Sequence, residues 1–241
     1  MTREEIFETV QSLAAEKDLY AASEFVLGLA DELDVVKVFE NLLLDCYWKA
    51  KSTERVIHFA NTGIHYCLFK ACACEGIDAA AAREFRFAAK RMATNAASFT
   101  WIGWDEPGVE ISPEQMRHGT AFARYSVRQL HELDPTEAQL AFTYWYLGVH
   151  LMAQASYAEA LSVFGSARDA SASDGGNPDQ QTMLEGYIGL TKILSGDNET
   201  GESEFDTAVA ALDSRDNEDA AFYAKQLADV RTFFENRLEK S

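Results

Sequence analysis

Apolar residues recur along this chain at helical spacing, three and four positions apart, and strand-like alternation is rare. The segment near the C-terminus shows the pattern plainly, with Phe222, Tyr223, Leu227, Val230 and Phe234 on one stripe. Reading the stripe from end to end predicts helices over 3–16, 18–32, 35–50, 53–75, 78–98, 113–133, 136–154, 156–172, 178–195, 198–213 and 217–238. Helix starts carry their own marks. Thr2 and Glu5, Ser112 and Gln115, Ser156 and Glu159, and Asn177 and Gln180 all have the spacing of a capping box. In that motif each side chain accepts from an otherwise unpaired amide of the first turn. Pro113, Pro135 and Pro178 directly follow Ser112, Asp134 and Asn177, which places each at a first helical position, where a missing amide costs nothing.

Most predicted connections are short, so successive helices are expected to lie antiparallel. Two are longer. Residues 99–112 hold Trp101-Ile-Gly-Trp104, and residues 173–178 hold Ser-Asp-Gly-Gly-Asn-Pro. The expected organisation is helical hairpins over 1–98, an aromatic loop over 99–112, and stacked helix pairs over 113–241 with a final capping helix. Four prolines and 14 glycines in 241 residues are too few for a β-rich fold of this size.

A spacing pattern appears within the C-terminal half. Tyr144-x2-Leu147-Gly148-x2-Leu151 is followed by Tyr157-x2-Ala160-x3-Phe164-x2-Ala167. After a shift of 41 residues come Ile188-Gly189, Gly196-Asp197 and Gly201-x3-Phe205-x2-Ala208. This resembles the tetratricopeptide repeat. Its units are about 34 residues long, and the loop over 174–180 with a longer first helix accounts for the wider spacing here. The resemblance is strong over 141–174, moderate over 182–215 and weak over 4–37, where Phe7, Val10, Ala14, Tyr20, Ser23, Leu27 and Ala30 take the same offsets without the Leu-Gly pair. It does not extend over 53–133.

The residue types suit close helix pairing. Gly148, Ala160, Gly189 and Gly201 are small where two antiparallel helices cross, and Phe164 and Phe205 fill the space toward the next pair. The resemblance implies an all-α fold of antiparallel helix pairs stacked as a right-handed α-solenoid, because one pair cannot bury its apolar face alone. It also implies a concave groove lined by the first helix of each pair. The groove offsets hold Phe142, Trp145, Val149, Met152 and Ala153, then Met183, Gly186, Leu190, Ile193 and Leu194. Family members that grip a C-terminal carboxylate use Lys, Arg and Asn there; this surface is apolar, and binding of that kind is rejected. Two readings of the groove stay open. Either the chain's own N-terminal helices fill it, or it accepts an apolar helix or an extended peptide.

Charge and candidate chemistry narrow the picture. With 21 basic and 39 acidic residues the net charge is −18. No basic stripe is present, so neither nucleic acid nor an anionic membrane is an expected partner. The acidic surface either keeps the chain soluble or attracts a basic partner. No apolar run reaches the length of a membrane span, and the N-terminus lacks the pattern of a signal peptide. Cys46, Cys67, Cys72 and Cys74 are expected as buried, reduced thiols, and a cytoplasmic location follows from these features.

Trp101 and Trp104 are either exposed binding anchors or core residues. Arg124, with Arg117 and Arg128 on one face, either pairs with local carboxylates or binds a phosphate or acidic peptide. His58, His65 and Cys72 lie seven positions apart, about 10 Å along a helix, too far for one metal ion. Nucleophile-elbow, phosphate-loop, zinc-protease and dinucleotide motifs are absent. The expectation is a non-enzymatic scaffold for a protein or peptide, with no cofactor. The alternatives are a self-associating structural subunit and a helical enzyme whose site leaves no motif.

Overall fold

In a computed structural model, residues 1–29, 31–173 and 176–238 are described. Among them are eleven α-helices, one 3-10 turn and no strand. The helices are α1 (Arg3–Glu16), α2 (Leu19–Leu27), α3 (Glu32–Trp48), α4 (Thr53–Cys74), α5 (Ala79–Phe99), α6 (Pro113–His131), α7 (Glu137–Ala153), α8 (Tyr157–Ser171), α9 (Pro178–Ser195), α10 (Asn198–Asp213) and α11 (Glu218–Leu238). The chain is therefore all-α, built of adjacent packed helix pairs. The expected residues Ala30, Asp174 and Gly175 lie outside the described residues.

Cap chemistry confirms most helix starts and corrects some. Thr2 with Glu5 and Ser112 with Gln115 form complete capping boxes. So does Thr136 with Gln139, which makes Thr136 the cap and leaves Pro135 outside the helix, not at its first position. Asn177 caps α9, but Gln180 turns away and accepts from the Ser171 hydroxyl at 2.9 Å. Ser156 makes no side-chain cap bond at all. Helix α2 ends at Leu27, where the Gly28 amide bonds to the Glu24 carbonyl, well short of position 32.

The chain divides into two compact units. The first comprises Met1–Thr100 and Glu106–Leu133. Its long hairpin of α4 and α5 is packed through small residues. Ala82, Ala88, Ala89, Ala93, Ala96 and Ala97 of α5 are all buried, which lets α4 and α6 both approach α5. On α4, a Cβ at Gly63 would lie 2.5 Å from the Met92 sulfur and 3.0 Å from the Phe39 Cβ. A hydrogen bond of 2.8 Å between Thr94 and Ser126 ties α5 to α6. Thus α6 belongs with the hairpins, and the C-terminal unit begins near 134 rather than 113. In α1 and α2 the weak repeat offsets are not a buried set: Val10 and Ser23 are buried while Tyr20 and Leu27 face outward.

The second unit comprises Trp101–Asp105 and the chain from Asp134 onward. Helices α7 and α8 form one pair, α9 and α10 the next, and α11 covers the second pair. A Cβ at Gly148 of α7 would lie 2.4 Å from the Phe164 ring of α8. A Cβ at Gly189 of α9 would lie 2.6 Å from the Phe205 backbone nitrogen and 2.9 Å from the Gly201 carbonyl oxygen of α10. The small residues marked in the sequence therefore sit at the crossings. Phe164 reaches the next pair, stacking on Tyr187 of α9 with centroids 5.5 Å apart. Phe205 does the same toward α11, under the Arg231 guanidinium at 5.0 Å.

Candidate functional site

The aromatic residues of α7 and α9 gather around Trp145. Trp101 and Trp104 lie 5.9 and 6.0 Å from it, and Tyr187 5.9 Å, by ring centroids. Phe142 and Tyr146 continue the cluster at 5.8 and 4.6 Å. The rings meet edge-on or tilted, the arrangement that aromatic quadrupoles favour. Helix geometry explains the gathering. Positions 142, 145, 146 and 149 share one face of α7, and Tyr187 stands on the face of α9 that α7 and α8 approach.

Trp101 and Trp104 arrive from the loop after α5. Thr100 ends that helix, donating its hydroxyl to the Ala96 carbonyl at 2.6 Å. The chain then makes one 3-10 turn, Ile102–Trp104, closed by the Asp105 amide on the Ile102 carbonyl at 3.1 Å. Gly103 is required there: a Cβ would lie 2.3 Å from the Trp101 ring, which folds back over it. Asp105 leaves the turn in the left-handed region, φ 44.

This arrangement corrects several expectations. The groove at Trp145 is not open: within the second unit the segment around Trp101 and Trp104 covers it. Trp145 is 3% exposed and Trp101 1%. Val149, Met152 and Leu190 are buried core residues and offer no surface to a partner. Gly186 is covered as well, since a Cβ there would lie 2.5 Å from Leu227 of α11. Phe142 stays accessible at 43%, and Trp104 is half-buried. Arg124 is exposed on α6, which belongs to the first unit.

Sequence reasoning missed Tyr187. It is fully buried at the centre of the cluster. Its hydroxyl accepts from the Gln226 amide of α11 at 2.7 Å, and burial pushes its pKa upward. A signal was available: Tyr146 and Tyr187 are separated by the same 41 residues as the two crossing glycines.

The indole nitrogens of Trp101 and Trp145 are both buried without a hydrogen-bond acceptor. That of Trp145 leans on the Tyr187 hydroxyl and helps stabilise its charged form, but falls short of hydrogen-bond geometry. A buried donor left unpaired costs about 1–3 kcal/mol. The cluster thus combines flat apolar rings with two unmet N–H donors. It suits the stacking of aromatic side chains and the capture of a carbonyl oxygen.

The remaining candidates are dispersed. Cys46 and Cys67 are buried, with thiol pKa values pushed up to about 12 by desolvation. Cys72 is exposed and Cys74 only partly buried, contrary to expectation, both in the last turn of α4. His58 is half-buried and its pKa is lowered by that burial; its Nε2 lies 2.9 Å from the Ser23 hydroxyl, joining α4 to α2. Ser23 is buried within α2 and presents no open nucleophile. Among the described residues no three His, Cys, Asp or Glu side chains converge to hold a metal ion. A cavity of about 370 Å³ opens between α1, the chain after α2, and α3, floored by Ile6, Val38 and Leu42. Beside it Arg3 makes two bonds of 2.9 Å to the buried Asp45 carboxylate.

The fold and this cluster define an all-α protein of packed helix pairs with an aromatic site on one face. No family model matches the chain, and no curated protein matches it. Among solved structures it is similar to BtubC (BKLC) from P. vanneervenii, at 13% identity over 90% of this chain and 91% of that one, with a TM-score of 0.42. A likeness of that size leaves the function to be argued from the residues themselves. Among the described residues, no helix is long and apolar enough to cross a membrane.

Proposed function

We propose that this chain is a non-enzymatic scaffold of tetratricopeptide type that binds an extended segment of another protein in a reducing, cytoplasmic setting. One observation carries the reading. The face of α7 and α9 already holds a short, mostly irregular stretch of polypeptide, anchored by two tryptophan rings. Helix pairs able to hold such a stretch within one chain have the shape and chemistry to hold one from another chain. Aromatic anchors in a desolvated pocket are the usual source of binding energy in such contacts. The net charge of −18 favours a partner segment flanked by basic residues.

The test is selection of phage-displayed 12-residue peptides on the full chain. Enriched peptides should carry aromatic residues and should lose binding to Phe142→Asp, a change at the accessible edge of the cluster. A selection that yields no sequence-specific binder overturns the scaffold reading.

Self-association is favoured by a different observation. Phe69 and Ile77, near the turn between α4 and α5, are 69% and 86% exposed. Light scattering separates the readings: a monodisperse monomer at high concentration removes the second.

A further inference from the structure

The five residues Trp101–Asp105 pack with the second unit, while the residues before and after them pack with the first. Both flanks are fastened. Thr100 closes α5, Lys51 bonds Glu106 at 2.6 Å, and the Thr53 hydroxyl donates to the Glu110 carbonyl at 3.2 Å. Two features of the five residues between are less well satisfied. The Trp101 N–H is buried with no acceptor, and Asp105 takes a left-handed backbone, which aspartate tolerates better than most residues but at some cost relative to glycine. Release of the segment hydrates the first and relaxes the second. It also leaves behind a formed site: the Trp145 and Tyr187 rings, the edge of Phe142, and the Trp145 N–H without an acceptor.

We infer that Trp101–Asp105 is a built-in occupant of the aromatic site on α7 and α9, displaced by an extended segment of a partner protein bearing two large aromatic side chains three residues apart. This rests on the scaffold reading and names its ligand. The partner's rings replace Trp101 and Trp104, and a main-chain carbonyl accepts from Trp145 Nε1. An intramolecular ligand acts at an effective concentration on the order of millimolar, so the intact segment masks the site from weak or non-specific peptides. A segment competes when it makes the additional hydrogen bond, adds contacts on either side, or is present at a concentration that matches this effective one.

The experiment uses the full chain and a fluorescein-labelled synthetic peptide with the sequence of residues 99–106, Phe-Thr-Trp-Ile-Gly-Trp-Asp-Glu. Anisotropy is measured on wild type and on the double variant Trp101→Ala/Trp104→Ala, with helical circular dichroism recorded for both. The double variant should stay helical and bind the peptide at least about tenfold more tightly, because it lacks the competing segment. In wild type, hydrogen exchange at the 102–105 amides should accelerate when peptide is in excess.

Equal affinities overturn displacement and leave the peptide-binding reading standing. Absence of binding by both folded proteins overturns both. A double variant that loses its helical signal shows the segment to be essential core and overturns the inference, as does exchange at 102–105 that ignores the peptide. A wild-type dimer that the peptide dissociates identifies a second copy as the occupant and overturns the assignment to a different partner.

Discussion

The pair α7/α8 and the pair α9/α10 are the same construction displaced by 41 residues, and they solve its three tight points differently. At the crossing, Gly148 makes room for a side chain, the Phe164 ring, whereas Gly189 makes room for the backbone of Phe205 and Gly201. At the turn within each pair, the matched residues Ala155 and Gly196 both adopt a left-handed backbone, at φ 58 and 98. Only glycine does so without a steric penalty. Between pairs, Phe164 stacks on a buried tyrosine while Phe205 meets an arginine. The lesson is that the geometry of a helix pair does not dictate how hard each position is to change. A ring can tilt; a backbone cannot.

The largest break is expected at the inter-pair rings. Phe164→Ala should lower stability by about 4 kcal/mol, the size of an aromatic truncation in a packed core. Phe205→Ala should cost about 3 kcal/mol, less because the long Arg231 side chain is able to settle into the space. Denaturant titration of the two variants checks the order, and equal losses would remove the contrast.

The crossings should separate next. Gly189→Ala is expected to cost about 2 kcal/mol, since the new methyl meets backbone. Gly148→Ala should cost under about 1 kcal/mol, because the ring moves and alanine's better helix propensity offsets part of the strain. Phe164→Leu in a double-mutant cycle should reduce the Gly148→Ala penalty, through coupling between touching residues. The corresponding cycle of Gly189→Ala with Phe205→Leu should show no such rescue, because the obstacle there is the main chain.

The turns should respond in opposite directions. Ala155→Gly is expected to stabilise by about 1 kcal/mol and Gly196→Ala to destabilise by about as much, a shift of roughly 2–4 °C in melting temperature each way. Same-sign shifts in the two melts would show that the left-handed turns are not equivalent.

The smallest effects concern helix starts. Thr136→Ala and Asn177→Ala, at the first helices of the two pairs, should each cost about 1 kcal/mol. Ser156→Ala should change stability by less than about 0.5 kcal/mol, because that hydroxyl caps nothing. A cost at Ser156 equal to that at Asn177 would contradict the observed cap geometry.

Much of the fold was legible because it is written in local chemistry. Helix period, capping residues and small residues at fixed offsets place Gly148, Gly189, Gly201, Phe164 and Phe205 where they lie. What escaped depends on tertiary choices. Ala155 gives no sign that it will take a left-handed backbone. Pro135 fits either side of a cap, and Thr136 decided it. Helix α6 looked like the start of the C-terminal array, yet its small buried face, Gly119, Ala123 and Ser126, matches the alanine face of α5. The site was half legible. Trp101, Trp104 and Trp145 stood out as candidates, but whether they meet is a question of where a fourteen-residue loop over 99–112 folds, and periodicity is silent on loops.

The clustering of tryptophans has an optical consequence. Of the four in the chain, three sit together in the second unit, and Trp48 stands alone in the first, 53% exposed. Emission from the protein is therefore composite, with one red-shifted component open to acrylamide and one blue-shifted component shielded from it. Replacing Trp48 with phenylalanine leaves a signal that comes from the second unit alone. The chain so altered carries its own spectroscopic gauge of whether the segment around Trp101 is seated or released.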